Sequence, residues 1–373
     1  MVIPLYYIRF FKPPPDVVEC NQPFSVVWTI ETDLGDESYW QSIPVTCNIA
    51  SCQDPSVRLR VFSDKTKTKK EVLQPWTKEI KLDYNPMRGG VVCTRLMIES
   101  TSANSSLQIV FKLGGKTRRH PVWTYCGLFE NNDCLWILPA WTCPIKLMNP
   151  TKKSQRVQIS LPEPVSSQQA ERILTVPGGT VRICEDAFQS IARHVWDCGL
   201  GMCSYIFQQT QKGILDFNNK NLIELGSGTA LVGIYAAQCS TPSCVYLTDL
   251  PEAIEIMEQN VALMPPQNNV EMVVKSLEWG PIPEKTSWLE MPVDIVLLTD
   301  VLYNQGSHDV LLDTLDWLVQ KQTKILLAYK ERNPDERVFF EKLKQRDYQI
   351  IQVEEEDLVC EIYWIQKNSY NDL

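Results

Sequence analysis

No uninterrupted apolar run in this chain approaches the roughly 18–20 residues that a bilayer-spanning helix needs. Histidine is scarce, with three residues far apart at His120, His194 and His308. None of the 13 cysteines forms a CxxC pair, and the closer ones (Cys47 and Cys52, Cys198 and Cys203, Cys239 and Cys244) sit five positions apart. No zinc-ligand spacing results, and no metal is expected. Excess positive charge is also lacking. A formal net charge of -9 argues against a protein that holds nucleic acid by general phosphate attraction. The basic cluster Lys65 to Glu71 (KTKTKKE) reads as a solvated loop. The apolar start MVIPLYYIRFFKPPP has neither a basic leader nor a small-residue cleavage site, so it reads as a strand. An odd cysteine count calls for no disulfide framework, so reduced thiols in the cytoplasm or nucleus are expected. There the acceptor pattern Asn104-Ser105-Ser106 carries no meaning.

What is present is ordinary globular material, 44% hydrophobic and 22% charged over 373 residues, enough for two domains. Up to about Pro150 the chain runs in short β-rich stretches: Phe24 to Ile30, Val57 to Phe62, Val91 to Ile98 and Leu107 to Leu113. Gly, Pro, Asn and Asp clusters separate them, which predicts an all-β sandwich or barrel over residues 1–150. Its tryptophans Trp40, Trp76, Trp123 and Trp141 are candidates for core or for a docking surface, and partner recognition is the expected role of this part. Thr151 to Gln155 is a polar break and the expected boundary, followed by a hairpin extension (151–186) with strands at Arg156 to Leu161 and Arg172 to Val176. From about Ala187 strands and helices alternate, through LIEL (Leu222 to Leu225), Val245 to Thr248, Val270 to Val274, DIVLLT (Asp294 to Thr299) and ILLAY (Ile325 to Tyr329). Such alternation predicts a parallel sheet covered on both faces by helices, here closed by a hairpin of Gln349 to Val353 with Glu361 to Gln366.

In open parallel sheets ligands sit at the carboxyl ends of the strands. Glu224-Leu225-Gly226-Ser227-Gly228-Thr229 closes the first strand, where two glycines let the backbone turn sharply near a ligand. Asp249, ending YLTD, is placed to accept from ribose hydroxyls. A dinucleotide fingerprint wants Gly or Ala three residues after the second glycine, and position 231 is Leu. Glu224 beside the turn suits a ligand bearing an ammonium rather than a pyrophosphate.

ELGSGTALVG, TDLP, LEWG (Leu277 to Gly280) and DVLY (Asp300 to Tyr303), in that order and spacing, resemble the seven-strand protein-lysine methyltransferases typified by methyltransferase-like protein 21. His194-Val195-Trp196-Asp197 resembles the family's tryptophan-bearing segment ahead of the first strand. The resemblance runs from about Arg156 to the C-terminus. It implies a Rossmann-like fold, S-adenosylmethionine as cofactor, and a protein substrate of the chaperone, AAA ATPase or elongation-factor type. It also implies that Trp196 flanks the cofactor and that Gly226, Ser227 and Gly228 meet its methionine end. Asp249 would then meet the ribose, Trp279 the adenine region, and Thr299 would end the fourth strand.

Methyl transfer to an amine is above all a proximity problem. A free lysine, with pKa near 10.4, is protonated against the reaction by roughly 4–5 kcal/mol at neutral pH. A carboxylate that orients the lysine and an aromatic ring along its stem answer that need, and Asp300 with Tyr303 is the matching pair. Asn304 and Tyr329 are further pocket candidates, and Lys330, Glu331 and Arg332 read as a charged loop near the mouth. A fold of this kind does not name its acceptor, so protein histidine or a small molecule stays open beside lysine, as does a non-catalytic scaffold.

Overall fold

The computed structural model describes residues 5–64, 71–101, 105–114, 137–150, 167–177, 179–187, 191–265, 270–281, 288–289, 292–354 and 358–368. The basic cluster at 65–70, Asn104, His120, Trp123, the polar break at Thr151 to Gln155 and the expected strand Arg156 to Leu161 lie outside these residues.

The β-rich runs fold into two facing sheets. A six-stranded sheet has the order Ile137–Leu138, Tyr6–Lys12, Pro23–Glu31, Val91–Glu99, Arg58–Asp64, Glu71–Leu73. The other is built around Ser106–Leu113, which pairs with Ala140–Thr142, Ile145–Met148 and the long strand Ile43–Cys52. Alternation along the strands drives side chains from both sheets into one core. Trp28 and Phe10 of the first sheet meet Phe111 of the second at ring-centroid distances of 5.8 and 5.2 Å. Trp28 is fully buried and its indole donates to Thr94 Oγ1 at 2.9 Å. Of the two architectures expected for the β-rich part, sandwich or barrel, it is the sandwich. Two of its tryptophans are surface residues: Trp40 is 60% and Trp76 48% exposed.

Arg172 to Val176 has a partner that the sequence reading did not name. Gln169–Val176 pairs in register with Gly179–Asp186, so Arg172 to Val176 finds its partner on its C-terminal side. Gln169–Val176 also pairs with Ala140–Thr142, extending the sandwich sheet. The other face packs on the α/β part, where the Asn260 side chain accepts from Cys184 N at 2.7 Å and donates to Cys184 O and Thr229 O. The hairpin therefore belongs to both parts. One continuous core, with Tyr7 and Leu138 from the sandwich beside Leu200, Val232 and Ile234, runs through the junction.

The C-terminal part is a seven-stranded sheet. Its strands are β1 (Asn221–Leu225), β2 (Cys244–Asp249), β3 (Glu271–Ser276), β4 (Ile295–Thr299), β5 (Lys324–Tyr329), β6 (Tyr348–Gln352) and β7 (Glu361–Lys367), in spatial order β3-β2-β1-β4-β5-β7-β6. β1 to β5 are parallel, β7 runs antiparallel to β5, and β6 pairs antiparallel with β7. Helices α1 (Asp197–Gln211), α2 (Leu231–Cys239), α3 (Ile254–Ala262), α4 (His308–Leu318) and α5 (Val338–Gln345) cover it. Sequence reasoning missed α1. Eleven of its 15 residues are buried, so it carries no polar face and no 3.6-residue period to read. Strand order reverses between β1 and β4, and that reversal opens the crevice where ligands bind in such sheets.

Candidate active site

The crevice is a cavity of about 640 Å³, within the range of small-molecule sites. It brings together ten of the residues singled out in the sequence: Trp196, Glu224, Gly226, Ser227, Gly228, Asp249, Trp279, Thr299, Asp300 and Tyr303 all line it. Asn304 lines it too, while its side chain accepts from Gly306 N and caps the turn before α4. Tyr329 does not. It is buried, donates its hydroxyl to Glu336 at 3.2 Å and packs on Phe340.

The two glycines are required by the protein itself. Gly226 has φ +67°, and a Cβ there would stand 3.0 Å from Val301 and 3.2 Å from the Trp279 ring. Gly228 has φ +54°, and a Cβ would meet the backbone oxygen of Ala192 at 2.8 Å. Their nakedness lets the segment ahead of α1 and the Trp279 ring close over the turn. Ser227 Oγ donates to Glu224 O and accepts from Thr248 N, which binds the loop to both strands.

Asp249 holds the turn from the next strand, accepting from Gly228 N and Leu250 N, each at 2.7 Å. Glu224 is buried, with Oε2 accepting from Gly233 N at 2.9 Å. Burial pushes its carboxyl up to about 8, with Asp249 adding to the effect. These groups fit S-adenosylmethionine: a buried carboxyl facing the cavity suits an ammonium, Asp249 keeps lone pairs for ribose hydroxyls, and two indoles offer flat walls.

Glu224 yields a test with a definite sign. A cation settling beside it lowers its pKa, so ligand binding at pH 7 should release most of one proton, and affinity should rise with pH until about 8. Without ligand the same raised pKa makes the protein lose stability as pH climbs from about 4.5 to 8, because the folded state holds the proton that the unfolded chain gives up. Calorimetry of S-adenosylhomocysteine in two buffers of different ionisation heat measures the release. Glu224→Gln should abolish it and weaken binding about tenfold or more; equal release by both proteins would refute the assignment.

The acceptor side holds a network that the sequence did not disclose. Asp300, at φ +57° beyond β4, is not a lone carboxylate. Arg332 donates from Nε to Asp300 Oδ1 at 3.2 Å and from Nη2 to Asp300 Oδ2, and Nη2 also reaches Asp33 Oδ2 at 2.9 Å. The guanidinium lies 5.3 Å from the Trp196 ring centroid. Lys330 Nζ reaches Asp197 Oδ2 at 2.6 Å and Asp33 Oδ1 at 3.4 Å, and Tyr7 donates to Asp197 Oδ1 at 2.6 Å. Burial raises the pKa of Asp300 against the opposing pull of Arg332, while burial and Asp33 push Asp197 up to about 6. From the expected charged loop, Lys330 and Arg332 thus form a partly buried clamp on Asp33, Asp197 and Asp300, while Glu331 is exposed. Tyr303 stands at the opening, 55% exposed. His194, given no role of its own in the sequence, lines the cavity edge-on to Trp196, and burial lowers its pKa. Its place beside Trp196 in the segment ahead of α1 was the available signal.

Residues 176–346 match a family model described as lysine methyltransferase. A Schizosaccharomyces pombe protein of the UPF0665 family is 26% identical over 91% of this chain and 92% of its own length, so that similarity spans both parts. The protein N-lysine methyltransferase METTL21A of Danio rerio is 30% identical, covering 50% of this chain and 83% of that protein. EEF1A lysine methyltransferase 3 of Xenopus tropicalis is 37% identical over 38% of this chain and 59% of that protein.

Proposed function

The chain belongs to the lysine methyltransferase family, and from that premise we infer that its acceptor is a lysine of a folded protein, entering the cavity past Tyr303. The activity is S-adenosylmethionine-dependent methylation of a protein lysine. One observation supports this reading of the site: ten expected residues, from the ends of β1, β2, β3 and β4 and from the segment before α1, line one cavity. Among substrate classes, a translation elongation factor is the first to test, because relatives bear the name EEF1A lysine methyltransferase 3.

When bound, S-adenosylmethionine supplies a methyl group already activated on a sulfonium. The chain's part is binding, alignment and desolvation. Glu224 holds the ammonium, Asp249 the ribose, and Trp196 and Trp279 flank the cofactor. Asp300 orients the acceptor nitrogen through lone pairs that Arg332 leaves unused. Because Arg332 already offsets its charge, Asp300 gives little reward to an ammonium, and the neutral amine that the reaction needs is accommodated. Tyr303 walls the lysine stem at the opening.

Asp300→Ala should cut methyl transfer about a hundredfold through misalignment, and Tyr303→Ala should raise the acceptor KM about tenfold. Both should bind S-adenosylhomocysteine as the parent does. Undiminished turnover by both variants would remove the acceptor assignment.

A further inference from the structure

The turn after strand Pro23–Glu31 reaches from the sandwich into this site. It is closed by Thr32 N donating to Glu37 O at 3.0 Å, by Gly35 N donating to Thr32 O at 3.1 Å and by the Thr32 hydroxyl on Asp36 Oδ1 at 2.6 Å. Arg9 Nη2 pins the Asp33 carbonyl at 2.9 Å. Within this hydrogen-bonded turn the Asp33 side chain is 1% exposed and receives Arg332 and Lys330. Its Oδ2 also lies 3.5 Å from Asp197 N, at the start of α1. One carboxylate therefore ties the two basic residues after β5 to the helix that follows Trp196. Burial opposes the charge on Asp33, yet Arg332 and Lys330 outweigh it and hold its pKa below the usual carboxylate range. The next residue, Leu34, is half exposed and lines the cavity, as do the partly exposed Leu250, Tyr303 and Val310. Three of these side chains come from the methyltransferase part and one from the sandwich.

Resting on the reading of this cavity as a protein-lysine methylation site, we propose that the active site is bipartite. The sandwich supplies Asp33 as a positioning residue that fixes Asp300 through Arg332, and Leu34 as the facing wall of an apolar acceptor mouth. The arrangement suits an acceptor lysine flanked by apolar side chains on a folded protein. It gives the β-rich part a role inside the catalytic unit rather than as a tethered recruiter.

The test uses the full chain with three variants. In Asp33→Asn the Asp300 amide, which donates to Ala328 O at 3.2 Å, should exchange hydrogen about tenfold faster. The kcat should fall about tenfold with the KM for S-adenosylmethionine unchanged, and Asp33→Glu should restore part of the loss. Leu34→Ala, a surface truncation, should raise the acceptor KM about tenfold at unchanged kcat. Parent-like exchange at Asp300 in Asp33→Asn, or an unchanged acceptor KM in Leu34→Ala, overturns the proposal. Loss of kcat with a matching fall in thermal stability and no recovery in Asp33→Glu also overturns it, since that is what a purely structural Asp33 would give. If the parent protein methylates no protein at all, the functional reading fails on its own, and the exchange measurement still decides whether Asp33 holds Asp300.

Discussion

Replacing Arg332 by alanine should destabilise the protein by about 3–5 kcal/mol and abolish detectable methyl transfer. The stability loss does not come from removing a favourable surface pair. Asp300 and Asp33 are 11% and 1% exposed at the side chain, and Arg332 answers both. Without it Asp300 loses its cation and Asp33 keeps only Lys330, which it shares with Asp197, in a poorly solvated junction. The stacking on Trp196 is lost as well, which frees an indole that lines the cavity. Arg332→Lys separates charge from geometry. A lysine returns a cation but cannot fork between two carboxylates, so most of the stability should return while turnover stays low. Thermal unfolding read beside the transfer rate checks both halves, and an Arg332→Ala protein of parental stability would show that the clamp carries little energy.

Gly228→Ala should be the most damaging single change for cofactor affinity. The left-handed φ of +54° costs a residue with a Cβ about 1–2 kcal/mol. The new methyl would also stand 2.8 Å from a backbone oxygen, Ala192 O, which cannot rotate away. Relief requires the Ala192 segment to retreat from the β1 turn, and Ala192, His194 and Trp196 all line the cavity from that segment. The Gly228 amide that braces Asp249 would shift with it. S-adenosylhomocysteine affinity should drop at least about thirtyfold by calorimetry, in a protein that still melts cooperatively. Parental affinity would show that the cavity wall adapts freely.

The sheet was legible because β-branched strands and helical spacing announce themselves locally, and because Gly226, Gly228, Asp249 and Asp300 sit at strand ends where chemistry and turn geometry coincide. α1 was not legible, being buried around most of its circumference. The pairing of Arg172 to Val176 with Gly179–Asp186 was not read, because a register depends on which strand lies beside it. Asp33 and Leu34 carried no signal at all. A lone aspartate after a strand reads as a turn residue, and its pairing with Arg332 spans 299 positions. The same holds for Tyr7 and Asp197, 190 positions apart. Such contacts are set by how two parts of a chain pack, which no local pattern records.

The shared core also bears on cutting the chain. Tyr7, Leu138 and the hairpin pack into the same cluster as α1 and α2, so the methyltransferase core is completed by residues from the sandwich. The central claim is best tested on the full chain. It should be incubated with methyl-labelled S-adenosylmethionine and a cell extract, and the labelled residue mapped by mass spectrometry. The account predicts label on a lysine side chain of a protein, lost in Asp300→Ala. Label on histidine, on arginine or on a small molecule would contradict it, as would no label from a protein that binds S-adenosylhomocysteine.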